Sequence, residues 1–374
     1  MSSGAIGGTV RRVIDDAIAV CTVPAPTFAE GTRARLVMRL LHQAGARPRL
    51  DGAGNVVAAF GSGPPDQTLI LTAHLDTVFD EATEISPTER RGRLAAPGIG
   101  DNSIAVAALV HLARRLSGAA LRRPVTLAAT VGEEGLGDLR GAKALLADEV
   151  CGAFVAVEGM MLDSIAVAAI GSLRLRATVR GPGGHPWSDR GTPSAVHGLL
   201  APLQAALERA ERGGVVANAG VLRGGTAINV IAAEATVELD LRSEDGARLR
   251  EVAAEVRAAF ELTAPQLSVK LAQIGDRPGG QIAADAELLA AARAAREQIG
   301  LPPADEKASS TDANAAHGLG IPALTIGITT GANAHRLDEY IDLKPIAAGL
   351  AALDALVDRF AAAPGSETRN RDAR

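Results

Sequence analysis

The chain has 374 residues, of which 47% are hydrophobic, 22% charged and only 2% aromatic. This length and composition predict a globular protein of about two domains with a core of Ala, Val, Leu and Ile. The formal net charge of −5 and the absence of a basic patch exclude an ordinary nucleic-acid-binding protein.

The cysteine content and the apolar stretches limit where the chain can work. Two cysteines, Cys21 and Cys151, exclude a disulfide framework and predict a reducing, cytoplasmic location. The N-terminus lacks a charged start followed by an apolar core, so no signal peptide is expected. The longest apolar stretch, 153–170, is interrupted by Glu158 and Asp163, and no membrane association is predicted.

Strand-like and helix-like segments alternate over the first 170 residues. Short apolar runs predict buried strands, and longer periodic segments predict helices. The predicted strands are 68–73, 125–131 and 153–157, and the predicted helices between them are 101–116 and 138–148. This alternation is typical of a doubly wound α/β domain with a mainly parallel sheet that is covered on both faces.

The pattern changes at Gly171. Residues 172–180 alternate apolar and polar side chains, which predicts a strand with one face in water. A helix follows, then strands near 214–222 and 233–242, a helix near 245–261 and a strand near 267–274. This β-α-β-β-α-β order is typical of a ferredoxin-like domain.

The α/β pattern returns after residue 280. The predicted elements there are helices at 283–299 and 312–317 and a buried strand at 323–328. We therefore predict one domain, 1–170 plus 280–364, interrupted by a second domain, 171–279. Residues 365–374 are polar and are expected to be disordered.

Histidines and carboxylates follow the predicted strands of the first domain. In doubly wound sheets, ligands bind at the carboxyl ends of the strands. The side chains at these ends are His74 and Asp76, Glu133 and Glu134, Glu158, and His335. Asp101 opens a helix on the same side, so these groups are expected to converge.

Such a convergence predicts a metal site. Imidazole and carboxylate ligands without cysteine suit Zn²⁺, Mn²⁺ or Co²⁺. If Asp101 bridges, five ligands suit two ions about 3.5–4 Å apart. Glu134 would bind a metal, while Glu133 would stay unligated and take a proton from a metal-bound water. Asp76 points the same way as His74 on an extended segment and would hold its far nitrogen.

Each residue also has a simpler interpretation. Asp101 could be only a helix N-cap, and Glu133 and Glu134 could be solvated loop acids. It is the combination that favours a metal site.

The other histidines are interpreted separately. His42, His111 and His197 lie within predicted helices, where a surface or core-edge position is expected. His317 precedes Gly318 at a helix end, where a protonated imidazole would favour the helix dipole. His185 lies in a glycine-rich loop, and we predict that it is functional because loops often carry function.

Seven short motifs resemble those of the dinuclear zinc peptidase and deacylase family. That family includes carboxypeptidase G, peptidase T, acetylornithine deacetylase, succinyl-diaminopimelate desuccinylase and aminoacylase. The matching segments occur in the family's order: AHLDT at 73–77, GIGDN at 98–102, GEEG at 132–135, VEG at 157–159, GGH at 183–185, STDAN at 310–314, and the segment around His335.

The resemblance implies how two divalent ions, most often zinc, would be held. His74, Asp101 and Glu158 would bind one ion. Asp101, Glu134 and His335 would bind the other.

The resemblance also implies the remaining roles. Glu133 would be the general base and then the general acid, and Asp76 would orient His74. The inserted domain is similar to the family's lid and dimerisation domain, which implies a homodimer. There His185 would stabilise the oxyanion in the partner subunit's active site, and Asn229 and Arg242 would bind a substrate carboxylate. Arg242 could instead simply continue the solvated face of its strand.

Two positions depart from the family pattern. Asn102-Ser103-Ile104 follows Asp101, where the family often has a basic residue and glycine, and Ala232 replaces a usual proline. Neither change removes a ligand.

These observations predict a metal-dependent amide-bond hydrolase acting on small peptides. An N-acyl amino acid deacylase or carboxypeptidase-like enzyme is the alternative. A third possibility is a metal-binding homologue without turnover, but the complete ligand set and the presence of Glu133 argue against it.

Overall fold

The structure is a computed structural model, and it describes residues 7–261 and 266–361. The segment predicted to be disordered, 365–374, lies outside the described residues. Within the described residues, the contacts divide the chain into two compact units, one made of 7–169 and 281–361 and the other lying within 170–280.

The first unit contains seven helices and thirteen strands within its described residues. Its helices are α1 (Gly8–Cys21), α2 (Gly31–Gln43), α3 (Ile104–Leu116), α4 (Arg140–Asp148), α7 (Glu287–Gln298), α8 (Ala313–His317) and α9 (Ile346–Ala361). Its strands are β1 (Arg49–Leu50), β2 (Val56–Phe60), β3 (Leu69–His74), β4 (Thr88–Arg90), β5 (Arg93–Ala95), β6 (Val125–Thr130), β7 (Ala153–Glu158), β8 (Ser164–Ala169), β13 (Gly280–Gln281, at the boundary), β14 (Asp305–Ser309), β15 (Ala323–Gly327), β16 (Gly331–Ala332) and β17 (Tyr340–Asp342).

The main sheet of this unit is mixed, with a parallel centre. The strand order is β1-β2-β6-β3-β7-β15-β8-β13, and β14 pairs with β8. Strands β6, β3, β7 and β15 are parallel neighbours, whereas β2 and β8 join this group antiparallel. The predicted doubly wound, mainly parallel sheet is therefore confirmed.

Burial of both sheet faces explains the near-continuous apolar strands. Leu69 and Leu71 of β3 pack into a core with α1, α3 and α9, while Ile70 between them packs into a second core with α4 and α8. Because side chains alternate between faces, each face of β3 has its own layer of helices.

The second unit contains β9 (Gly171–Arg180), α5 (Ala195–Arg212), β10 (Val216–Gly224), β11 (Glu234–Ser243), α6 (Gly246–Glu261) and β12 (Ser268–Arg277). Its four strands form an antiparallel sheet in the order β10-β11-β9-β12. One sheet face, with Leu175 and Val179, packs against α5 and α6, and the other face carries the polar side chains. The predicted ferredoxin-like arrangement is confirmed.

Several chain segments end at one edge of the main sheet, which we call the carboxyl edge. His74 is the last residue of β3 and Glu158 the last residue of β7, and Glu133 follows β6 by three residues. A separate small antiparallel sheet has the order β16-β17-β5-β4, and His335 lies between β16 and β17.

Two predicted helix starts are wrong. The helix predicted from residue 283 begins at Glu287. The helix expected from residue 101 begins at Ile104, because the backbone at Asp101 is not helical, with φ −119° and ψ 84°. The N-cap of α3 is Ser103, so the helix-cap interpretation of Asp101 does not hold.

No helix among the described residues is long and apolar enough to cross a membrane.

Candidate metal centre

Two groups of three side chains converge at the carboxyl edge. One group is His74, Asp101 and Glu158, and the other is Asp101, Glu134 and His335. In each group, one potential ligand atom per residue lies within 4.8 Å of the others. These are the same two sets of residues that the resemblance implies.

Asp101 belongs to both groups, and its two oxygens face different histidines. Oδ1 lies 3.0 Å from His74 Nε2, and Oδ2 lies 3.0 Å from His335 Nε2. The outer carboxylates are near the same nitrogens: Glu158 Oε2 is 3.8 Å from His74 Nε2, and Glu134 Oε1 is 3.2 Å from His335 Nε2. A carboxylate in this position can bridge two cations.

The pKa shifts of the histidines and of Glu158 indicate a strongly negative electrostatic potential at the site. The carboxylates of Asp101 and Glu134 raise the pKa of His335 to about 10. Burial alone would lower the pKa of His74, but Asp101, Asp76 and Glu158 raise it well above its usual value. Burial and the neighbouring carboxylates raise the pKa of Glu158. Bound cations would relieve this concentration of negative charge.

Imidazole nitrogens and carboxylate oxygens are the ligands that Zn²⁺, Mn²⁺ and Co²⁺ accept. Here two imidazoles and three carboxylates face one another at a partly buried edge, with His335 the most exposed of them. The residues therefore fit a pair of divalent ions.

The contact between His74 and Asp76 differs from the predicted one. His74 Nδ1 lies 3.0 Å from the backbone carbonyl oxygen of Asp76, whereas the Asp76 carboxylate is 3.7 Å away. A carbonyl oxygen only accepts, so Nδ1 donates a proton to it, and Nε2, on the side of Asp101, is the nitrogen that is left to bind a metal ion. Asp76 thus orients His74 through its backbone.

The carboxylate of Asp76 holds the two adjacent glutamates instead. Glu133 N donates to Oδ1 and Glu134 N donates to Oδ2, both at 2.9 Å. Burial would raise the pKa of Asp76, but His74 and these N–H donors lower it. The segment that follows β6 is therefore hydrogen-bonded to the segment that follows β3.

Glu133 is buried within reach of the same space. With His74 and Glu134 it forms a third group of potential ligands, whose atoms also lie within 4.8 Å of one another, but it belongs to neither group that contains Asp101. It is 6% exposed, so its carboxylate is not a solvated loop acid.

Glu339 is a supporting residue that the sequence analysis missed. Its buried carboxylate accepts hydrogen bonds from Gly100 N at 2.6 Å, Asp101 N at 2.9 Å and Gly98 N at 3.2 Å. Burial raises the pKa of Glu339 to about 7 even though these three donors act to lower it. No motif indicates this role, because the contact spans 238 residues.

Arg33 and Asp312 also support the carboxyl edge. The buried guanidinium of Arg33 donates to the carbonyl oxygens of Leu75 and Val23, both at 2.8 Å. Thr130 Oγ1 donates to Asp312 Oδ2 at 2.6 Å. The motif 310–314 includes Asp312, but its spacing alone could not indicate the contact with Thr130.

The backbone at His335 adopts an unusual conformation. His335 has φ +65°, in the left-handed region that non-glycine residues seldom occupy. Such a conformation costs about 1–3 kcal/mol and persists only where the surroundings enforce it. Its position between β16 and β17 directs the imidazole toward Asp101.

His185 and Asn229 lie in the second unit on adjacent loops. Ile231 N donates to Gly184 O at 2.8 Å, which places the two loops side by side. Both side chains are exposed. A groove of about 620 Å³ in the second unit is lined by Gly183, Val230 and Ile231.

Arg242 lies away from these loops. It is near the far end of β11, eight residues beyond Glu234 and therefore about 26 Å along the strand. Its guanidinium donates to Asp240 Oδ2 at 3.0 and 2.8 Å. Within one chain, the structure does not bring Arg242 and Asn229 together, and Arg242 continues the polar face of the sheet.

The expectation for His317 is wrong. Burial lowers the pKa of His317 to about 4, so the imidazole is neutral at pH 7 and does not act as a cation at the end of α8.

Histidines and carboxylates that converge at the carboxyl edge of a mixed α/β unit are a ligand set that a metal-dependent hydrolase requires. The model of "Peptidase family M20/M25/M40" matches residues 70–359. The chain belongs to this family, and the resemblance found in the sequence is confirmed.

Known proteins are similar over nearly the whole chain. "Uncharacterized protein YqjE" of Bacillus subtilis (strain 168) is 23% identical over an alignment of 343 residues that covers 85% of this chain and 90% of the relative. Aminopeptidase PepT from Bacillus cereus ATCC 10987 is 22% identical with a TM-score of 0.75, covering 94% of this chain and 98% of that structure. A tripeptidase from Staphylococcus aureus subsp. aureus Mu50 is 20% identical with a TM-score of 0.77 and the same coverage.

Proposed function

We propose that the chain is a metallopeptidase that hydrolyses an amide bond of small peptides with two divalent metal ions, for which zinc is the proposed metal. One observation carries this proposal: Asp101 is shared by two groups of potential ligands, and the buried Glu133 lies beside both groups without completing either. The similarity to an aminopeptidase and a tripeptidase supports peptides as substrates.

The metal ligands are assigned as the resemblance implies. His74, Asp101 and Glu158 would hold one ion, and Asp101, Glu134 and His335 the other. Such ions supply polarisation of the scissile carbonyl and lower the pKa of a water molecule to about 7.

Glu133 acts as the proton carrier. It accepts a proton from the attacking water and returns it to the leaving nitrogen. The N–H of Glu133 is held by Asp76, which also holds Glu134 and orients His74. Asp76 therefore fixes the base relative to two ligands.

His185 is assigned the role of stabilising the tetrahedral oxyanion in the active site of the partner subunit. Its Nδ1 accepts from Trp187 N and Ser188 N, each at 3.3 Å. Since Nδ1 accepts, Nε2 carries the proton and can donate, and one such donor is worth about 10²–10³ in rate. Asn229, on the neighbouring loop, contributes to binding the substrate carboxylate, whereas the role predicted for Arg242 needs a separate test.

The location and assembly are part of the same proposal. Both cysteines are free, which supports a reducing, cytoplasmic location. The ferredoxin-like unit is proposed as a lid and dimerisation domain of a homodimer, by its resemblance to the family.

The first test is a competition between substrate classes. Metal-loaded protein is incubated with a mixture of free-amine dipeptides and tripeptides and of N-acetyl, N-succinyl and N-aroyl amino acids, and the losses are followed by mass spectrometry. Loss of the free-amine peptides is the expected result.

Two variants serve as controls. Glu133→Gln should hydrolyse the same substrates about 10²–10⁴-fold more slowly, whereas Glu306→Gln, which alters an ion pair with Arg293, should behave as the wild type. Loss of acylated amino acids alone would establish the deacylase alternative. No hydrolysis by the metal-loaded wild type would contradict the proposal.

A further inference from the structure

An exposed aromatic side chain lies on the loop whose Thr27 donates to Asp76, the residue that holds Glu133 and Glu134. Phe28 is 63% exposed. Four of the other five phenylalanines are buried. They are Phe60, Phe154, Phe260 and Phe360. A large apolar side chain gains free energy from burial, so an apolar substrate side chain that packs against this ring would be stabilised.

The loop that carries Phe28 is anchored on a carboxylate of the centre. Thr27 Oγ1 donates to Asp76 Oδ2 at 2.9 Å. The same oxygen accepts the N–H of Glu134. Thr77 N donates to Ala25 O at 2.9 Å, so the loop also runs along the segment after β3. Phe28 therefore follows directly after a residue bound to the centre.

The backbone holds Phe28 in an unfavourable conformation. Its φ is +76°, in the left-handed region that disfavours an aromatic residue. The conformation is enforced by local contacts: Phe28 N donates to Glu30 Oε1 at 3.1 Å, and the Arg140 guanidinium lies 5.7 Å from the ring centre. These contacts leave most of the ring exposed, so packing within the first unit does not account for the strain, which points to function.

Other exposed apolar side chains follow the proposed site residues in sequence. Leu136, two residues after Glu134, is 49% exposed. Val78 and Leu337 occupy the equivalent positions after Asp76 and His335 and are also exposed. The charges nearby are already paired: Arg336 with Asp338, and Arg140 with Glu30.

We propose that Phe28, together with Leu136, binds a large apolar side chain of the substrate. The substrate class is then a small peptide, or an N-acyl amino acid, that carries a Phe-like or Leu-like residue. This inference rests on the proposed hydrolase function and specifies its substrate. Phe28 is a specificity-determining residue, and it transfers no proton.

The test compares substrates that differ in one side chain. The kcat/KM values are measured for X-Gly and Gly-X dipeptides and for N-acetyl-X, with X being Phe, Leu or Ser. The wild type should prefer Phe or Leu over Ser at one position by at least about tenfold, the scale at which apolar pockets discriminate.

Two substitutions distinguish the contribution of the Phe28 side chain from that of its left-handed backbone. Phe28→Asn tolerates a left-handed backbone but offers no apolar surface. This variant should lower the ratio of the kcat/KM values for the Phe and Ser substrates by about tenfold, mainly through a higher KM for the Phe substrate. Phe28→Leu should keep the preference within about threefold.

Matched control variants come from apolar residues that are equally exposed but lie away from the centre. Val150 and Leu319 are 62% and 63% exposed. Val150→Asn and Leu319→Asn should leave the preference unchanged. Bound metal should be equal in all variants, since Phe28 is not a ligand.

The inference and the proposed function fail in different ways. If metal-loaded wild type hydrolyses none of these amides, the proposed function fails. If it hydrolyses them without preferring an apolar side chain, or if Phe28→Asn keeps the preference, the inference is overturned. A change in oligomeric mass of Phe28→Asn with an unchanged preference would assign the ring to a subunit contact and would also overturn it.

Discussion

Glu339 should control how well the centre binds metal, although it is not a ligand. Its carboxylate accepts three backbone N–H groups of the loop that presents Asp101. Leaving a buried donor unpaired costs about 1–3 kcal/mol, so Glu339→Ala would cost about 3–9 kcal/mol. That is comparable to the whole stability of a domain, and the Ala variant could simply fail to fold.

Glu339→Gln is the more informative change. The amide oxygen can still accept from two N–H groups, but its NH₂ group faces the third donor and cannot accept from it. We expect a loss of about 1–3 kcal/mol in unfolding free energy. Because Asp101 is then less well positioned, metal affinity should fall about 10–100-fold, the usual effect of changing a residue that supports a ligand.

The assay is a metal titration in a competing chelator, with urea unfolding of the same preparations. Glu306→Gln, at an exposed ion pair with Arg293, is the control and should change neither quantity. Metal affinity of Glu339→Gln equal to that of the wild type would refute the reasoning.

Two further predictions concern histidines. His335→Ala should lower the bound metal, measured by elemental mass spectrometry, from about two ions per chain to about one; retention of both ions would remove His335 from the ligand set. Burial lowers the pKa of His317 to about 4 from its usual 6.5, so its stabilising effect is complete above pH 6.5 and is lost as the pH falls toward 4. Between pH 7 and about pH 4.5, the unfolding free energy of the wild type should therefore fall by about 1–2 kcal/mol more than that of His317→Asn, as measured by urea titrations. The difference is no larger because the side chain is partly exposed. Equal losses would show that His317 titrates normally in the folded chain.

The parts of the fold that carry long apolar runs could be predicted from the sequence. Strands β3, β6 and β7 lie within a residue of their predicted bounds, because both faces of each strand are buried. The short strands β4, β5, β16 and β17 have no such signal. They have two or three residues each, and the pairing of β5 with β17 joins segments more than 200 residues apart.

The candidate site is likewise predictable from the sequence only in part. The sequence indicates which histidines and carboxylates meet, because His74, Glu133, Glu134 and Glu158 end or follow strands at one edge of the sheet. It does not indicate how they are held. The carbonyl oxygen rather than the carboxylate of Asp76 contacts His74, and the Glu339 carboxylate holds the Asp101 loop. Such contacts depend on tertiary geometry and leave no local pattern.

The central claim is that Glu133 moves the proton at a centre it does not help to assemble. The most direct measurement is bound metal and peptide turnover on the same preparation of Glu133→Gln. The account predicts about two ions per chain, as in the wild type, with turnover reduced by about 10²–10⁴-fold. Turnover near the wild-type value, or loss of an ion together with activity, would contradict it.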